Sequence, residues 1–284
     1  MNVTNKSELL GKRIDCLDKG FVRLIDVMGD DAAIVQAARV SYGDGTKTIN
    51  EDRGLIRYLM RQRHTSPFEM VEFKFHIKLP IFVARQWVRH RTANLNEYSG
   101  RYSEMRDEFY IPVPDQIRPQ NKSNKQGRES QPIPPEIARK VTIEYEKTQT
   151  RLYEEYRSFL DKDIARELAR INLPLSMYTE WYWKIDLHNL FHFLRLRLDE
   201  HAQYEIRVYA AIMADIVKYF VPLAYEAFED YNLGSVSFSK HELKVLKNML
   251  IIQKPGDELF SDAGISIGEK REFIEKIEKI LNLT

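Results

Sequence analysis

The stretch MVEFKFHIKLPIFVARQW, from Met70 to Trp87, joins a strand pattern and a helix pattern at one proline. Over residues 70–79, apolar residues alternate with polar ones, which is the period-two pattern of a half-buried strand. Pro80 interrupts that pattern, and proline suits the first turn of a helix. The stretch therefore predicts a strand that leads directly into a helix over residues 81–91.

Similar patterns elsewhere in the chain indicate an α+β fold. FVRLIDVM (21–28) and MYTEWYWKID (177–186) have strand patterns, and we expect the tyrosines and tryptophans of the second stretch in the core or in a subunit contact. Helices are predicted over residues 30–42, 50–63, 135–160, 161–172 and 187–231. Because strands and helices do not alternate as regular βαβ units, we expect an antiparallel or mixed sheet flanked by helices.

The chain is expected to form one domain over residues 1–231, followed by a C-terminal appendage of two short amphipathic helices over residues 232–284. Within the domain, residues 116–131 contain one aliphatic residue in sixteen. Such a composition cannot contribute to a core, so it predicts an exposed polar insertion.

The composition excludes several classes of protein. The chain carries 43 Lys and Arg against 42 Asp and Glu, so its net charge of +1 gives no overall attraction to nucleic acid or membranes. Cys16 is the single cysteine, which rules out an intramolecular disulfide and suits a reducing compartment. No apolar run reaches the roughly 18 residues of a membrane span. We therefore expect a cytoplasmic protein without nucleic-acid or membrane partners.

Hydrogen-bond donors are concentrated in residues 85–106. This segment has five arginines but only two carboxylates, Glu97 and Glu104, to neutralise them. On a helix, Arg85, Gln86 and Arg89 would share one face. An arginine without a carboxylate partner is suited to bind an anion such as phosphate. A phosphorylated ligand with a polar head is the simplest expectation, although the chain has neither a Rossmann glycine fingerprint nor a P-loop.

The same segment carries a family resemblance. RHRTANLNEYSGRY (89–102) resembles the signature of the flavin-dependent thymidylate synthases, which is Arg-His-Arg, seven residues and Ser. Stretches at 37–42, 63–87 and 169–210 resemble the same family in the same order, so the resemblance spans roughly residues 20–230.

The resemblance implies a reaction and its cofactors. Members of this family methylate dUMP to dTMP with 5,10-methylenetetrahydrofolate as carbon donor, FAD as hydride carrier and NADPH as reductant, and they form homotetramers whose sites draw on several chains. They use no cysteine nucleophile, which agrees with the isolated position of Cys16.

The resemblance also assigns residues to the nucleotide. The dUMP set comprises Gln86, Trp87, Val88, Arg89, Glu97, Tyr98, Ser99, Gly100, Arg101, Arg170 and Arg197. Ser99 and Arg197 are the expected catalytic residues. In the family, the arginine that corresponds to Arg197 favours ionisation at uracil N3, which makes C5 more nucleophilic.

A second set is implied for the flavin. It comprises Ser41, His64, Ser66, Arg89, His90, Arg91, Glu97, Asp186, Leu187, His188 and His192. His201 is expected to contact folate or flavin, on the same helical face as Arg197. The chain departs from the family at Asn94, Asp186, His188 and His192. A carboxylate is unfavourable beside a pyrophosphate, so Asp186 is expected near ribose or adenine edges.

Two other functions remain open from the residues alone. His188 and His192 have the i, i+4 spacing of a zinc pair, although HNLFH lacks the glutamate of H-E-x-x-H. Arginines interleaved with aromatic residues in 89–106 and 187–197 also resemble a nucleic-acid surface, against which the near-zero net charge argues. The flavin reading predicts no metal site.

Overall fold

A five-stranded antiparallel sheet forms the centre of the fold. The computed structural model describes residues 8–40, 49–122, 127–249, 260 and 262–281. The strands are β1 (Arg13–Cys16), β2 (Gly20–Met28), β3 (Glu72–Pro80), β4 (Asn94–Glu97) and β5 (Tyr178–Asp186), and their order in the sheet is β1-β2-β3-β5-β4. The predicted α+β class and the three predicted strands are confirmed. The short edge strands β1 and β4 were not predicted, because four residues are too few to show a period-two pattern.

Helices flank this sheet. They are α1 (Asp31–Arg39), α2 (Ile49–Arg61), α3 (Ile81–Trp87), α4 (Pro135–Asp161), α5 (Arg166–Ala169), α6 (Leu187–Arg197), α7 (Tyr204–Phe220), α8 (Pro222–Phe228), α9 (Lys240–Met249) and α10 (Ile267–Leu281). Short 3₁₀ turns cover Phe68–Met70, Pro114–Gln116 and Arg170–Asn172.

The core lies on one face of β3 and β5. Phe75 is paired with Trp183 and Ile77 with Trp181, and all four side chains are buried. The opposite face carries pairs such as His76 with Tyr182, whose rings stack 4.7 Å apart. Burying one large apolar side chain contributes about 1.5–3 kcal/mol, so the alternation fixes which face the helices cover. The expected core position of Trp181 and Trp183 is confirmed.

The helix predicted over 81–91 is shorter than expected. α3 ends at Trp87, and the backbone N–H of His90 closes the last turn on the Trp87 carbonyl at 2.9 Å. The chain then pairs with β5 as strand β4. Arginine is a good helix former, so the local sequence does not show this stop.

The long helix predicted over 187–231 is wrong. α6 ends at Arg197, and a turn follows in which Asp199 accepts a hydrogen bond from the His201 backbone N–H at 2.8 Å. A second break falls at Val221, because the residue before Pro222 is disfavoured in the helical region. His201 therefore does not share a helical face with Arg197.

The helix predicted over 161–172 is also reduced. Asp163 has a φ of 56°, which ends α4 and leaves only the short α5 and the turn at Arg170–Asn172.

The segment 116–131, hereafter the polar segment, is more structured than predicted. In its described residues, Gln120 forms a bridge with Arg128. The Arg118 guanidinium donates to the carbonyls of Asp115 and Ser130, both at 2.9 Å. Arg128 reaches the buried carboxylate of Glu205. The prediction that the polar segment is exposed is therefore wrong for Arg128, whose side chain is only 30% exposed.

The chain divides into two compact units, Met1–Leu233 and Gly234–Thr284. The first contains the sheet and α1 to α8. The second contains α9 and α10, and the rings of Phe260 and Phe273 meet there at 5.8 Å. The two predicted C-terminal helices are confirmed over the described residues. In those residues we find no helix with the length and apolarity needed to cross a bilayer.

Candidate active site

α3 has an apolar back and a polar front. Val83 and Trp87 are 0% exposed, and the Trp87 ring packs against Trp183 and Phe193 at 5.3 and 4.6 Å. Trp87 was predicted in the dUMP set, but its side chain is part of the core, so only its backbone can reach a ligand. The next residue, Val88, is 39% exposed. Gln86 lies on the polar front, where its amide donates to the Gln203 side chain.

The turn after α3 and the outer face of α6 enclose a cavity of about 360 Å³, hereafter the arginine cavity. Its lining residues are Arg89, His90, Arg91, Thr92, Ile185, Asn189, His192, Leu196 and Arg197. The structure thus brings together five residues predicted from the sequence, although they come from segments about a hundred residues apart.

One hydrogen bond connects the two sides of the arginine cavity. Arg197 Nε donates to His90 Nε2 at 3.1 Å. Burial, then the charge of Arg197 and the nearby His192, lower the pKa of His90 to about 4. Burial also lowers the pKa of Arg197. His90 is therefore neutral near pH 7 and accepts from the arginine, so its ring proton is on Nδ1.

The charge of the arginine cavity is unbalanced. It contains three arginines, Arg89, Arg91 and Arg197, and no carboxylate. Among the described residues, no Asp or Glu forms an ion pair with any of the three. Guanidinium groups without a partner bind anions with high preference. The cavity is suited to phosphate or to an ionised heterocycle.

Other predicted flavin residues lie at the start of α6. The Leu187 backbone N–H donates to the Val71 carbonyl at 2.8 Å, so this helix end is adjacent to the turn that follows His64 and Ser66. His64 and Ser66 are exposed, whereas Leu187 is 0% exposed and can contribute only backbone. His188 lies one turn before His192, so the two could extend a ligand surface along α6.

Asp186 has a structural role that the sequence did not reveal. It caps α6, and its two carboxylate oxygens accept from the backbone and the side chain of Asn189 at 3.0 and 2.8 Å. A side-chain cap of this kind contributes roughly 0.5–2 kcal/mol.

A second group of predicted residues, hereafter the serine turn, covers Ser99, Gly100 and Arg101. A Cβ on Gly100 would lie 2.5 Å from Met105 Sδ and 3.1 Å from Arg170 Nη1, so the turn and the Arg170 guanidinium are in direct contact. Arg101 pairs with Glu167 at 3.1 Å, with both side chains more than half exposed.

The strand before the serine turn holds the remaining dUMP residues. Glu97 accepts from Thr179 Oγ1 at 2.7 Å. The Tyr98 backbone N–H donates to the Glu180 carbonyl at 2.8 Å. No hydrogen bond or ion pair between described residues joins the serine turn to the arginine cavity. Asn94, close to the cavity residues, pairs with Lys184, whereas Glu97, before the serine turn, pairs with Trp181, so the two groups of predicted ligand residues lie towards opposite ends of the β4–β5 pairing.

Ser41 and His201 are the two predicted residues that remain to be considered. Ser41 lies outside the described residues. His201 is exposed, and its backbone N–H and Nδ1 both contact Asp199 Oδ1. Sequence reasoning missed Asn189 in the arginine cavity and Gln203 beside Gln86. The Gln86–Gln203 contact spans 117 positions, so no local pattern could have indicated it.

The zinc alternative would need a third ligand beside His188 and His192, and none is found among the described residues. His192 lies 5.9 Å from the His90 ring, and the part of the chain that the structure describes has no group of three or more His, Cys, Asp or Glu placed to hold a metal ion.

Comparison with known proteins supports the family resemblance. The sequence model of a family described as "Thymidylate synthase complementing protein" matches residues 23–223. A flavin-dependent thymidylate synthase of Rickettsia bellii is 55% identical over 286 residues, covering 96% of this chain and 95% of the relative. The chain belongs to the flavin-dependent thymidylate synthase family. Another member, from Treponema denticola, is 55% identical over 269 residues, covering 95% of this chain and 98% of its own length. The predicted family and the predicted enzyme class are confirmed.

Solved structures show the same fold. The UMP/dUMP methylase PolB from Streptomyces cacaoi, bound with 5-Br dUMP, is similar with a TM-score of 0.70 and 35% identity, over 77% of this chain and 98% of PolB. The PolB complex with 5-Br UMP gives a TM-score of 0.69. The antiparallel sheet flanked by helices is thus the flavin-dependent thymidylate synthase fold.

Proposed function

We propose that this chain methylates dUMP to dTMP, with 5,10-methylenetetrahydrofolate as carbon donor, FAD as hydride carrier and NADPH as reductant. The arginine cavity carries the proposal, because Arg89, Arg91 and Arg197 converge there without a carboxylate. The nucleotide complexes of PolB support a pyrimidine nucleotide as the substrate.

In this proposal, fixed cations activate the substrate. Arg197 is partly buried and its Nε is engaged by His90 Nε2, which leaves its other N–H groups free to face a ligand. A guanidinium beside uracil N3 stabilises the anion that forms there, and such ionisation raises the electron density at C5. One well-placed donor of this kind contributes about 3 kcal/mol to a reaction barrier.

The donor set of the arginine cavity also fits FAD. Arg89 and Arg91 supply charge for its phosphates, and His188 and His192 offer ring nitrogens along α6. When bound, FAD supplies the hydride-transfer chemistry that no side chain can provide. Asp186, with both oxygens engaged by Asn189, would hold the start of α6 in place and leave the phosphates to the arginines.

We also propose that the reaction uses no enzyme thiolate. Cys16 is 7% exposed, and burial raises the pKa of its thiol to about 12. A thiol with this pKa is almost wholly protonated at neutral pH, and only the thiolate is a good nucleophile.

The homotetramer remains part of the proposal. The serine turn and the arginine cavity are separate in one chain, and β4, which precedes the serine turn, is an exposed edge strand. A site that joins the serine turn of one subunit to the arginine cavity of another would use both groups.

A reconstitution experiment tests the function. Purified protein is expected to take up FAD and turn yellow, to oxidise NADPH faster when dUMP is added, and to restore growth of a thymidine auxotroph. Protein that neither binds FAD nor restores growth would contradict the proposal.

A further inference from the structure

Glu205, the second residue of α7, is a charged side chain that is only 1% exposed. Arg128 Nη2 contacts its two oxygens at 2.6 and 2.5 Å. The Tyr110 hydroxyl donates to Oε1 at 3.0 Å, and Gln203 Nε2 donates to Oε2 at 2.8 Å. Burial of a carboxylate is costly unless a cation and hydrogen bonds compensate for it. Arg128 is the cation that does so here.

The carboxylate fixes the orientation of Gln203. A carboxylate can only accept, so Gln203 must turn its NH₂ group towards Glu205 and its oxygen away. That oxygen accepts the hydrogen bond from Gln86 Nε2. The orientation of the Gln86 amide therefore follows from the ionised state of Glu205.

Arg128 is itself held in place by the polar segment. Its Nη1 donates to the Gln116 carbonyl at 3.0 Å, and the segment is closed by the Gln120–Arg128 bridge. The side chain is 30% exposed, so it connects a surface segment with the buried end of α7.

We propose that Arg128 is a positioning residue for the substrate site, because its pairing with Glu205 fixes Gln203 and, through Gln203, the amide of Gln86. The inference rests on the proposed function and on the assignment of Gln86 to dUMP that the family resemblance implies. It gives the polar segment a role in substrate binding.

The pKa of Glu205 provides a test that distinguishes positioning of Gln86 by Arg128 from a purely structural role of Arg128. Burial raises this pKa, but the hydrogen bonds and charge of Arg128 and the hydrogen bond from Gln203 outweigh burial and lower it below the ordinary value of 4.5. Among the described residues, the other titratable group that contacts Glu205 is Tyr110, whose pKa is raised by burial, by Glu205 and by Asp18. Without Arg128, burial is no longer compensated, and Glu205 would titrate nearer neutral pH.

The central experiment compares Arg128→Met with Arg118→Met. Both variants remove one arginine of the polar segment, but Arg118 contacts only backbone carbonyls. Calorimetric titration of the FAD-loaded proteins with dUMP should show a Kd about tenfold higher for Arg128→Met at pH 6, since a lost charged hydrogen bond has roughly that effect. At pH 6 Glu205 of this variant takes up a proton and no longer dictates the orientation of Gln203, whereas at pH 8 it is ionised and the ratio to wild type should be smaller. Arg118→Met should match wild type at both pH values.

Two more variants complete the design. Arg128→Lys keeps the charge, so the ratio of its dUMP Kd to that of wild type should not depend on pH. Glu205→Gln combined with Arg128→Met removes the unpaired charge, so the double variant should be more stable to denaturant than Arg128→Met alone. An amide at that position can donate as well as accept, so it no longer orients Gln203, and the double variant should bind dUMP weakly at both pH values. Equal dUMP affinity of Arg128→Met and Arg118→Met at pH 6 would overturn the inference, as would a double variant that binds dUMP like wild type.

A measurement without dUMP separates this inference from the proposed function. At pH 6, the side-chain amide signals of Gln86 in NMR spectra should move in Arg128→Met and stay in place in Arg118→Met. If the wild type bound no dUMP while these signals moved as expected, the proposed function would fail and the positioning of Gln86 by Arg128 would stand. Unmoved signals would refute the positioning itself.

Discussion

At the scale of single residues, Arg197 has the largest expected effect on the reaction. Arg197→Ala should lower kcat roughly 10²- to 10³-fold, the usual cost of one donor aimed at developing charge. FAD binding should survive, because Arg89 and Arg91 remain in the arginine cavity. Steady-state kinetics and flavin absorbance measure the two effects. Cys16→Ala is the control and should keep activity; a loss of activity there would contradict the mechanism without a thiolate.

His90 offers a second prediction at this scale. Burial and Arg197 keep the pKa of the folded state at about 4, below the ordinary 6.5, so the unfolded chain binds the extra proton first. The contribution of His90 to stability is therefore complete above pH 6.5 and is lost as the pH falls towards 4. NMR titration should show a neutral ring above pH 5 in the wild type. Arg197→Met should raise the His90 pKa, and an unchanged value would argue against the Arg197–His90 contact.

At the scale of elements, the serine turn depends on a residue without a side chain. Gly100→Ala would place a methyl group against Met105 and Arg170, so it should lower the free energy of unfolding by about 1–3 kcal/mol and weaken dUMP binding. Gly54→Ala is the matched control. Gly54 lies in α2 with nothing within 4 Å of the added atom, and alanine there should stabilise by about 0.5–1 kcal/mol. Denaturant unfolding measures the stability of the two variants, and dUMP titration measures their affinity for the nucleotide. Equal effects of Gly100→Ala and Gly54→Ala would contradict the close packing of the serine turn against Met105 and Arg170.

The secondary-structure elements also show which parts of the fold the sequence alone could predict. β3 and β5 were predictable, because one face of each is buried and their alternation is visible in nine residues. The end of α3 at Trp87 was not, because pairing of β4 with β5, whose paired residues lie 84 to 90 positions further along the chain, overrides the helix preference of the arginines. The break after Arg197 depends on the hydrogen bonds of Asp199, which compete with a helix that its neighbours would otherwise continue.

The sequence could name candidate site residues but not their arrangement. The resemblance assigned Arg197 to dUMP, His90 to FAD and Arg89 to both, and the arginine cavity brings these three residues together. The Arg128–Glu205 pair spans 77 positions and begins in a segment with almost no apolar residues, so neither periodicity nor composition indicated it.

At the scale of the whole molecule, the separation of the serine turn from the arginine cavity predicts complementation between subunits. Arg197→Ala and Arg170→Ala chains should each be inactive alone. Mixed after joint refolding or co-expression, they should regain part of the wild-type dTMP synthesis, because some sites would then combine an intact Arg170 with an intact Arg197 from different chains. Activity that stays absent in verified mixed oligomers would show that each chain builds its own site.

The three tryptophans of the chain, Trp87, Trp181 and Trp183, form one buried cluster, and Phe193 joins it to His90 at the arginine cavity. All intrinsic indole fluorescence therefore originates next to the proposed flavin position. A flavin bound there would accept excitation energy from this single source and quench its emission. The unit Gly234–Thr284 contains no tryptophan, so the indole emission of the molecule comes wholly from the unit that carries the arginine cavity and can serve as a built-in reporter of ligand occupancy there.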